Sequence, residues 1–367
     1  MRSQIQRHLD QVLGHLYINP LEKCNLRCKI CYTRKTSPIL KKEEILDFVS
    51  RYRKTHGLET VTFCGGEVFT LPYFPELVNT ITASQPRNRI VQNLHHYQVS
   101  DSSATKYKLE EKYGNPSIEL RSSKLVSSVV SENRHNGIFV QIITNGTIDR
   151  LSDFDNPNMV NLIVSLDGLK NYHDKNRGRG NFAKSIAFLE KANRLGFHTE
   201  IFSIVTRQNL GQIDEFESYL KRFLRFSVSV TYHPRKPPAY LLHHPISNVF
   251  GETDGFDFLR DEDMIEIMKK KRTFPPKDLG CYQIALVSDG RVFGCCEGTV
   301  SIGRISDEID LLFNRLKDRI EVWEKANPPV GGLKNCLGCS QPDFVCGIKK
   351  YLKVILGNEA TPESNGL

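Results

Sequence analysis

Six short apolar segments alternate along this chain with amphipathic ones, and this alternation constrains the fold more than any other feature. The apolar segments begin at His15, Val61, Val140, Asn161, Glu200 and Phe226. Between them, stretches such as residues 41–55 repeat apolar residues at helical spacing. Strands that alternate with helices form repeated β/α units around a parallel sheet. The sequence therefore predicts an α/β fold.

Polar motifs follow four of the predicted strands directly. These motifs are Cys24 to Cys31, Gly65-Gly66-Glu67, Thr144-Asn145-Gly146 and Ser165-Leu166-Asp167-Gly168. Enzymes built on parallel barrels place their chemistry at the carboxyl ends of the strands. We therefore expect the four motifs to meet at one edge of the sheet.

The first motif carries three cysteines, Cys24, Cys28 and Cys31, at the spacing C-x3-C-x2-C. Thiolates are soft ligands that select iron–sulfur clusters, zinc or copper. A structural zinc site normally takes four protein ligands, and the loop contains no fourth Cys or His. Three thiolates suit a [4Fe–4S] cluster whose fourth iron is open to a small molecule. A zinc knuckle or unrelated thiols is the alternative interpretation.

This cysteine motif, with Gly-Gly-Glu after the next strand, resembles the radical SAM (S-adenosylmethionine) enzymes. The resemblance implies a partial (β/α)6 TIM-like barrel over residues 15–235, with Cys24, Cys28 and Cys31 as the catalytic cluster ligands. In that family the open iron binds S-adenosylmethionine, and one electron cleaves it to a 5′-deoxyadenosyl radical that abstracts hydrogen. A non-enzymatic iron–sulfur or zinc scaffold is the alternative, but a scaffold needs neither Gly-Gly-Glu nor Ser-Leu-Asp-Gly.

The resemblance also implies the residues that bind S-adenosylmethionine. Gly65 and Gly66 allow close approach of the backbone, and the Glu67 carboxylate is expected to pair with the methionine ammonium. Val68 stands where the family usually has proline, and a simple glycine turn is the alternative. The further cofactor-binding residues that we expect are Tyr32, Asn145, Ser165, Asp167, Arg177 and Thr206.

Individual roles follow from the same resemblance. Ser165 is expected to contact the ribose and carboxylate of the cofactor, and Thr206 lies where the family contacts adenine through its backbone. The guanidinium of Arg177 matches the geometry of the methionine carboxylate, although a solvated loop arginine is the alternative. Ile30 occupies a position that is often aromatic in the family, and Tyr32 follows it closely.

Six of the ten cysteines lie between positions 281 and 346, and Cys64 stands alone as an expected small buried residue. Such clustering favours metal binding over disulfides. The C-x8-G-x4-C and C-x2-C spacings resemble the SPASM/twitch extension, which implies a small α+β domain with auxiliary clusters. We expect one auxiliary [4Fe–4S] cluster, and structural zinc is the alternative. The expected ligands are Cys281, Cys295, Cys336 and Cys339, with Cys296 or Cys346 as substitutes.

Domain boundaries follow from these assignments. Asp289-Gly290 predicts the tight turn of a hairpin over residues 288–293. A polar stretch at about 84–137 predicts an insertion that partly covers the barrel mouth and contacts substrate. The expected parts are a lead-in at 1–14, the barrel at 15–235, a linker at 236–275, the auxiliary-cluster domain at 276–350 and a tail at 351–367.

Composition indicates an ordinary globular protein, with 39% hydrophobic and 25% charged residues. No apolar run approaches the about 20 residues that span a bilayer, and the N-terminus lacks the apolar core of a signal peptide. We therefore expect a cytoplasmic protein without membrane contact. The net charge is +8, but the basic residues are dispersed among acids, and no nucleic-acid motif is present. Nucleic acid is not an expected partner.

The substrate is predicted only by class. SPASM/twitch enzymes often modify peptides, so we expect peptide or protein (RiPP-type) modification, although a lead-in of 14 residues is too short for a separate peptide-recognition domain. The alternative is natural-product tailoring, by dehydrogenation or rearrangement of a sugar, nucleoside or amino acid. An external donor of the flavodoxin or ferredoxin type is expected to supply electrons, and the auxiliary cluster to transfer them or anchor substrate.

Overall fold

A computed structural model describes residues 14–83 without 32 and 34, 137–235, 255–267 without 261, 264 and 265, 283–294 and 301–326. The chain divides into two units, Met1–Ala83 with Ile138–Leu367, and Ser84–Gly137. All described residues except Gly137 belong to the first unit. The predicted insertion, most of the linker and the tail lie outside the described residues, so the domain boundaries stay a prediction.

Nine strands of the described residues form one sheet in the order β6-β5-β4-β3-β2-β1-β7-β8-β9. The strands are β1 (His15–Asn19), β2 (Thr60–Phe63), β3 (Phe139–Thr144), β4 (Val160–Ser165), β5 (His198–Val205), β6 (Ser229–Pro234), β7 (Ile284–Val287), β8 (Arg291–Phe293) and β9 (Ser301–Arg304). Neighbours from β6 to β7 pair in parallel, whereas β8 and β9 are antiparallel. The six predicted strands are confirmed as β1 to β6.

Helices alternate with these strands as the sequence predicts. They are α1 (Lys42–His56), α2 (Phe74–Thr82), α3 (Lys170–Arg177), α4 (Asn181–Arg194), α5 (Arg207–Leu210), α6 (Ile213–Phe223) and α7 (Ile309–Ala326), with short 3₁₀ turns at Val68–Thr70, Leu151–Asp153 and Pro157–Met159. Helix α3 was not predicted. Strand β6 begins at Ser229 rather than Phe226, because Phe226 and Val228 pack against the core without joining the ladder.

One face of the sheet packs on the helices and forms the core. Side chains such as Leu16, Val61 and Val140 on this face are fully buried. Helix α1 meets them with Ile45 and Phe48 and the residues one turn further on, as an amphipathic helix should. Because side chains alternate along a strand, the residues between these belong to the opposite face.

The opposite face carries apolar side chains on β3, β4 and β5 together with a row of polar ones. The hydroxyl of Thr62 donates to Gln141 Oε1 at 2.8 Å, so it accepts the hydrogen bond from His15 Nε2, also at 2.8 Å. Burial lowers the pKa of His15 to about 4, so its imidazole is neutral. Further along the sheet, the Asn161 side chain hydrogen-bonds the Glu200 carboxylate. Polar side chains therefore lie on five neighbouring strands, β1 to β5.

The predicted hairpin is confirmed, and it extends the main sheet. Ala285 on β7 pairs with Phe293 on β8, and Gly290 makes the turn with φ of 78°. Strand β7 also pairs in parallel with β1, where Leu16 lies opposite Ile284. The SPASM/twitch assignment stays a prediction, because all of its expected cysteine ligands lie outside the described part of the chain. No helix within the described part is both long and apolar enough to cross a membrane.

Candidate active site

The three cysteines of the loop after β1 are free and partly buried. The Leu26 N–H donates to Cys24 Sγ at 3.3 Å, and Cys31 Sγ lies 3.2 Å from a threonine hydroxyl. Burial raises the pKa of Cys24, and it raises the pKa of Cys28 to about 11. Without metal these two thiols therefore keep their protons at neutral pH, and a metal that binds to the sulfurs displaces those protons.

Gly65 and Gly66 bring the end of β2 against the segment that leads into the cysteine loop. The Gly66 N–H donates to Leu21 O at 2.9 Å, and the Glu67 N–H donates to Lys23 O at 3.0 Å. A Cβ on either glycine would overlap these backbone carbonyls. The glycines thus allow the chain to approach its own backbone, whereas the sequence predicted an approach to the ligand.

Glu67 ties the end of β2 to the end of β3. Its carboxylate is 1% exposed and accepts hydrogen bonds from Asn145 N–H at 2.8 Å, Thr144 O–H at 2.9 Å and Phe69 N–H at 3.2 Å. Burial raises its pKa, and the three hydrogen bonds oppose the rise. Three of the about four acceptor positions of the carboxylate are therefore filled from inside the protein, and its contact with the ammonium stays a prediction.

Asn145, after β3, supports the cysteine loop. Its Nδ2 donates to Asn25 Oδ1 at 2.9 Å and lies 3.8 Å from Cys24 Sγ. Its Oδ1 accepts from the Thr147 N–H at 2.9 Å, and Asn25 Nδ2 donates to Thr147 Oγ1 at 2.9 Å. The two asparagines and Thr147 therefore form a closed set of hydrogen bonds beside the first cysteine.

Asp167, after β4, forms a buried ion pair with Arg177. Arg177 Nε lies 2.5 Å from Asp167 Oδ2, and its Nη2 lies 3.1 Å from Oδ1, so two parallel hydrogen bonds join the side chains. Burial alone would raise the pKa of Asp167, but the guanidinium holds it below its usual range. The Arg177 side chain is 13% exposed, so Arg177 is not a solvated loop arginine. Three of its five N–H donors are left for the predicted cofactor carboxylate.

Asn176 connects this ion pair to the cysteine loop, and the sequence analysis did not single it out. Its Nδ2 donates to Asp167 Oδ2 at 2.8 Å. Its Oδ1 accepts the Ile30 N–H at 3.3 Å, and its backbone oxygen accepts the Lys29 N–H at 3.1 Å. The only available signal was its place directly before Arg177, since its contacts with Ile30 and Lys29 join residues far apart in sequence.

For the remaining predicted residues other than Tyr32, the structure gives positions but no described contact with the cysteine loop. Ser165 ends β4 and is 9% exposed. Thr206 follows β5 and is buried, with its Oγ1 2.7 Å from the Tyr172 hydroxyl and accepting the Gln208 N–H at the start of α5. The side chain of Thr206 therefore has partners inside the protein, and its adenine contact stays a prediction. Tyr32 lies outside the described residues.

These residues fit a [4Fe–4S] cluster with S-adenosylmethionine. The sulfurs of Cys24 and Cys31 are close enough for their charges to raise the pKa of Cys28, while the nearby Arg177 lowers it. Soft sulfur donors gathered in one loop suit iron–sulfur chemistry, and the adjacent guanidinium suits the carboxylate of an amino acid. Within the described part of the chain, no three His, Cys, Asp or Glu side chains form a site for a single metal ion.

The sequence pattern of the Radical SAM superfamily matches residues 18–220, which is more than half of the chain. The chain belongs to the radical SAM superfamily. Members of this superfamily are enzymes, and membership implies a [4Fe–4S] cluster and S-adenosylmethionine as cofactors. The predicted radical SAM family and parallel α/β fold are therefore confirmed. No curated protein sequence matches the chain.

Solved structures share the fold of this radical SAM chain. Native anSMEcpe with bound AdoMet and Cp18Cys peptide is 18% identical, with a TM-score of 0.54 over 89% of this chain and 87% of that one. SuiB of Streptococcus suis bound to precursor peptide SuiA is 15% identical, with a TM-score of 0.52 over 98% of this chain and 76% of that one. At these identities the likeness concerns the fold.

The auxiliary-cluster prediction concerns another part of the radical SAM chain. Its expected ligands, Cys281, Cys295, Cys336 and Cys339, and the substitutes, Cys296 and Cys346, lie outside the described residues. Cys64 lies at the end of β2, and its backbone N–H donates to Ile18 O at 2.9 Å. It is partly rather than fully buried. The expectation of a buried Cys64 is therefore only partly correct, because the side chain follows the strand at its carboxyl end.

Proposed function

We propose that this chain cleaves S-adenosylmethionine reductively and modifies a peptide or protein by abstracting a hydrogen atom from it. The observation that carries the proposal is the convergence of the cysteine loop, Asn145 and the Asp167–Arg177 pair at the carboxyl ends of β1, β3 and β4. A cluster held by the three cysteines would supply the electron for reductive cleavage of S-adenosylmethionine, and the cleaved cofactor would supply the radical that abstracts the hydrogen.

In this proposal, the protein's own residues bind the cluster and orient the cofactor. Cys24, Cys28 and Cys31 would ligate the cluster, and Asn145 holds the loop beside the first of them. Arg177, fixed by Asp167, presents its free N–H donors to the carboxylate of the cofactor. Because both partners of this ion pair are shielded from water, the guanidinium keeps one orientation.

A polar substrate is supported by a row of polar side chains on one face of the sheet. His15, Thr62 and Gln141 form a chain of hydrogen bonds there, and Asn161 and Glu200 form another beside it. Such a row suits a peptide or a polar small molecule better than an apolar ligand. The peptide class is favoured because two solved proteins of the same fold hold peptides.

One auxiliary cluster, used for electron transfer, completes the proposal. The β7–β8 hairpin supports it, because Gln283 N–H donates to Gly294 O at 3.0 Å. These paired residues lie two positions after Cys281 and one position before Cys295 in the chain. Flavodoxin or ferredoxin is the proposed class of external donor.

Anaerobic incubation of the reconstituted protein with S-adenosylmethionine and dithionite is expected to yield 5′-deoxyadenosine, read by mass spectrometry. Cys28→Ala should abolish this product, because it removes one of three cluster ligands. Cys64→Ala is the matched control, since it removes a thiol outside the loop, and it should keep the product. Methylthioadenosine in place of 5′-deoxyadenosine, or equal turnover in Cys28→Ala, would overturn the proposed cleavage.

Deuterium transfer is expected to identify the substrate class. The reconstituted wild-type protein is incubated anaerobically with S-adenosylmethionine, dithionite and a perdeuterated cell extract that has been separated by size into peptides and small molecules. The peptide fraction should place deuterium in 5′-deoxyadenosine, because the abstracted atom becomes part of the product. Transfer from the small-molecule fraction alone would favour natural-product tailoring and refute the peptide assignment. Cys28→Ala should transfer none from either fraction.

A further inference from the structure

The backbone amides of Leu26 and Ile30 each lie two residues after a cysteine of the loop, but they donate to different acceptors. The Leu26 N–H, two residues after Cys24, donates to Cys24 Sγ at 3.3 Å. The amide in the same relation to Cys28 is that of Ile30. It donates instead to Oδ1 of Asn176 at 3.3 Å. Asn176 thus accepts the N–H that corresponds, by its position after a cysteine, to the one bound to sulfur at Cys24.

The orientation of the Asn176 amide is determined by its partners. Its Nδ2 faces the Asp167 carboxylate at 2.8 Å, which accepts hydrogen bonds only. Its Oδ1 faces the Ile30 N–H, which donates only. A flipped amide would oppose like groups at both ends, and the side chain is 2% exposed, so water cannot replace either partner.

Hydrogen bonds to the sulfurs of an iron–sulfur cluster influence its reduction potential. The reduced cluster carries one more negative charge than the oxidised one, so an N–H directed at a sulfur stabilises it more and raises the potential. Outer partners of metal ligands are known to adjust metal sites in this way. An N–H that is held away from the sulfur leaves the potential lower.

We propose that Asn176 is a positioning residue that withholds the Ile30 N–H from the Cys28 sulfur and thereby keeps the cluster at a low reduction potential. This inference rests on the proposed cluster at Cys24, Cys28 and Cys31. The redox couple is a one-electron exchange between the cluster and the reductant, with no bond or proton transferred. A low potential makes the reduced cluster a stronger donor toward the sulfonium of S-adenosylmethionine.

Replacement of the Asn176 side chain tests this role, because one backbone hydrogen bond between this position and the loop remains. The backbone oxygen of Asn176 still accepts the Lys29 N–H in any variant at this position. Asn176→Leu keeps the volume but loses the acceptor, and Asn176→Ser is too short to reach the Ile30 amide. Asn176→Asp retains an oxygen acceptor for this amide while losing the N–H₂ group that faces Asp167. Asn193→Leu, at an exposed position on α4, is the matched control.

The reconstituted proteins are titrated with dithionite without S-adenosylmethionine, and the reduced cluster is measured by electron paramagnetic resonance. In Asn176→Leu and Asn176→Ser, the ratio of reduced to oxidised cluster at a fixed potential should rise about threefold, which is about 30 mV for a one-electron couple. Asn176→Asp and Asn193→Leu should show no rise. An unchanged or lower potential in Asn176→Leu, or an equal rise in Asn176→Asp, would overturn the proposal.

Amide exchange in the cluster-free protein provides an independent measurement. The Ile30 amide should exchange slowly in the wild type and in Asn176→Asp, and at least tenfold faster in Asn176→Leu. Equal exchange in wild type and Asn176→Leu would show that the hydrogen bond is absent and would refute the inference, whatever the activity. Protein that shows this exchange pattern but takes up no iron and sulfide would refute the proposed function and the inference about potential together.

Discussion

Gly66→Ala is expected to destabilise the protein by about 3 kcal/mol, at the upper end of the cost of overpacking. A Cβ at this position would overlap the carbonyl groups of Lys23 and Glu22, which are backbone and cannot rotate away. To admit it, the chain would have to break the hydrogen bonds from Gly66 N–H to Leu21 O and from Glu67 N–H to Lys23 O. The segment before the cysteine loop would then shift, so cluster loading should fall as well.

Urea unfolding of the cluster-free protein, with iron content after reconstitution, measures both effects of Gly66→Ala. Gly211→Ala is the matched control, because nothing lies within 4 Å of a Cβ there and its φ of −69° suits alanine. The control should stay within about 0.5 kcal/mol of the wild type, as surface substitutions usually do. Wild-type stability and full iron loading in Gly66→Ala would show that the close contact is not required.

The strands and the motifs at their ends could be predicted because both are local in sequence. Apolar runs such as that at Val140 identify strands by themselves, and the carboxyl ends of parallel strands share an edge wherever the strands pair. The need for glycine at 65 and 66 was also readable from the sequence. The sequence could not predict which part of the chain these glycines approach, since only the fold brings residues 21–23 against the end of β2.

Asn176 shows where sequence reasoning ends for this site. Asn176 acts through hydrogen bonds with Ile30, which is 146 positions away, and with Asp167, across the turn between β4 and α3. Nothing in its local pattern distinguishes it from a surface asparagine at a helix end. The pairing of β7 with β1 is similar, because the turn at Asp289-Gly290 predicts a hairpin but not the strand beside which the hairpin lies.

Arg177 and Asp167 form the contact on which the rest of the site depends most. The carboxylate accepts hydrogen bonds from Arg177, from Asn176 Nδ2 at 2.8 Å and from the Ile204 N–H at 3.1 Å. It therefore holds three parts of the site at once, which are Arg177, strand β5 and Asn176. Asn176 in turn fixes the cysteine loop. Replacement by Asn keeps the shape of the side chain, but it removes the charge and turns one acceptor oxygen into an N–H₂ group that faces donors.

Asp167→Asn is expected to cost about 3–5 kcal/mol, because it leaves the Arg177 guanidinium buried without a counter-ion. The ion pair holds the pKa of Asp167 below its value in the unfolded chain. The carboxylate therefore stabilises the fold fully above the unfolded pKa of about 3.9, and this stabilisation is lost as the pH falls through the folded value. The difference in unfolding free energy between wild type and Asp167→Asn should be largest near neutral pH and shrink below about pH 4.

Denaturant unfolding of the cluster-free proteins between pH 3 and pH 8 measures this difference, and Asp47→Asn is the matched control. Asp47 pairs with Arg51 at 2.8 Å, but its side chain is 65% exposed, so the loss should stay within about 1 kcal/mol. A difference for Asp167→Asn that does not change with pH would mean that packing, rather than charge, links Asp167 to Arg177. In that case the free N–H donors of Arg177 would not be held in place for a cofactor carboxylate, and the proposed orientation of the cofactor would lose its basis.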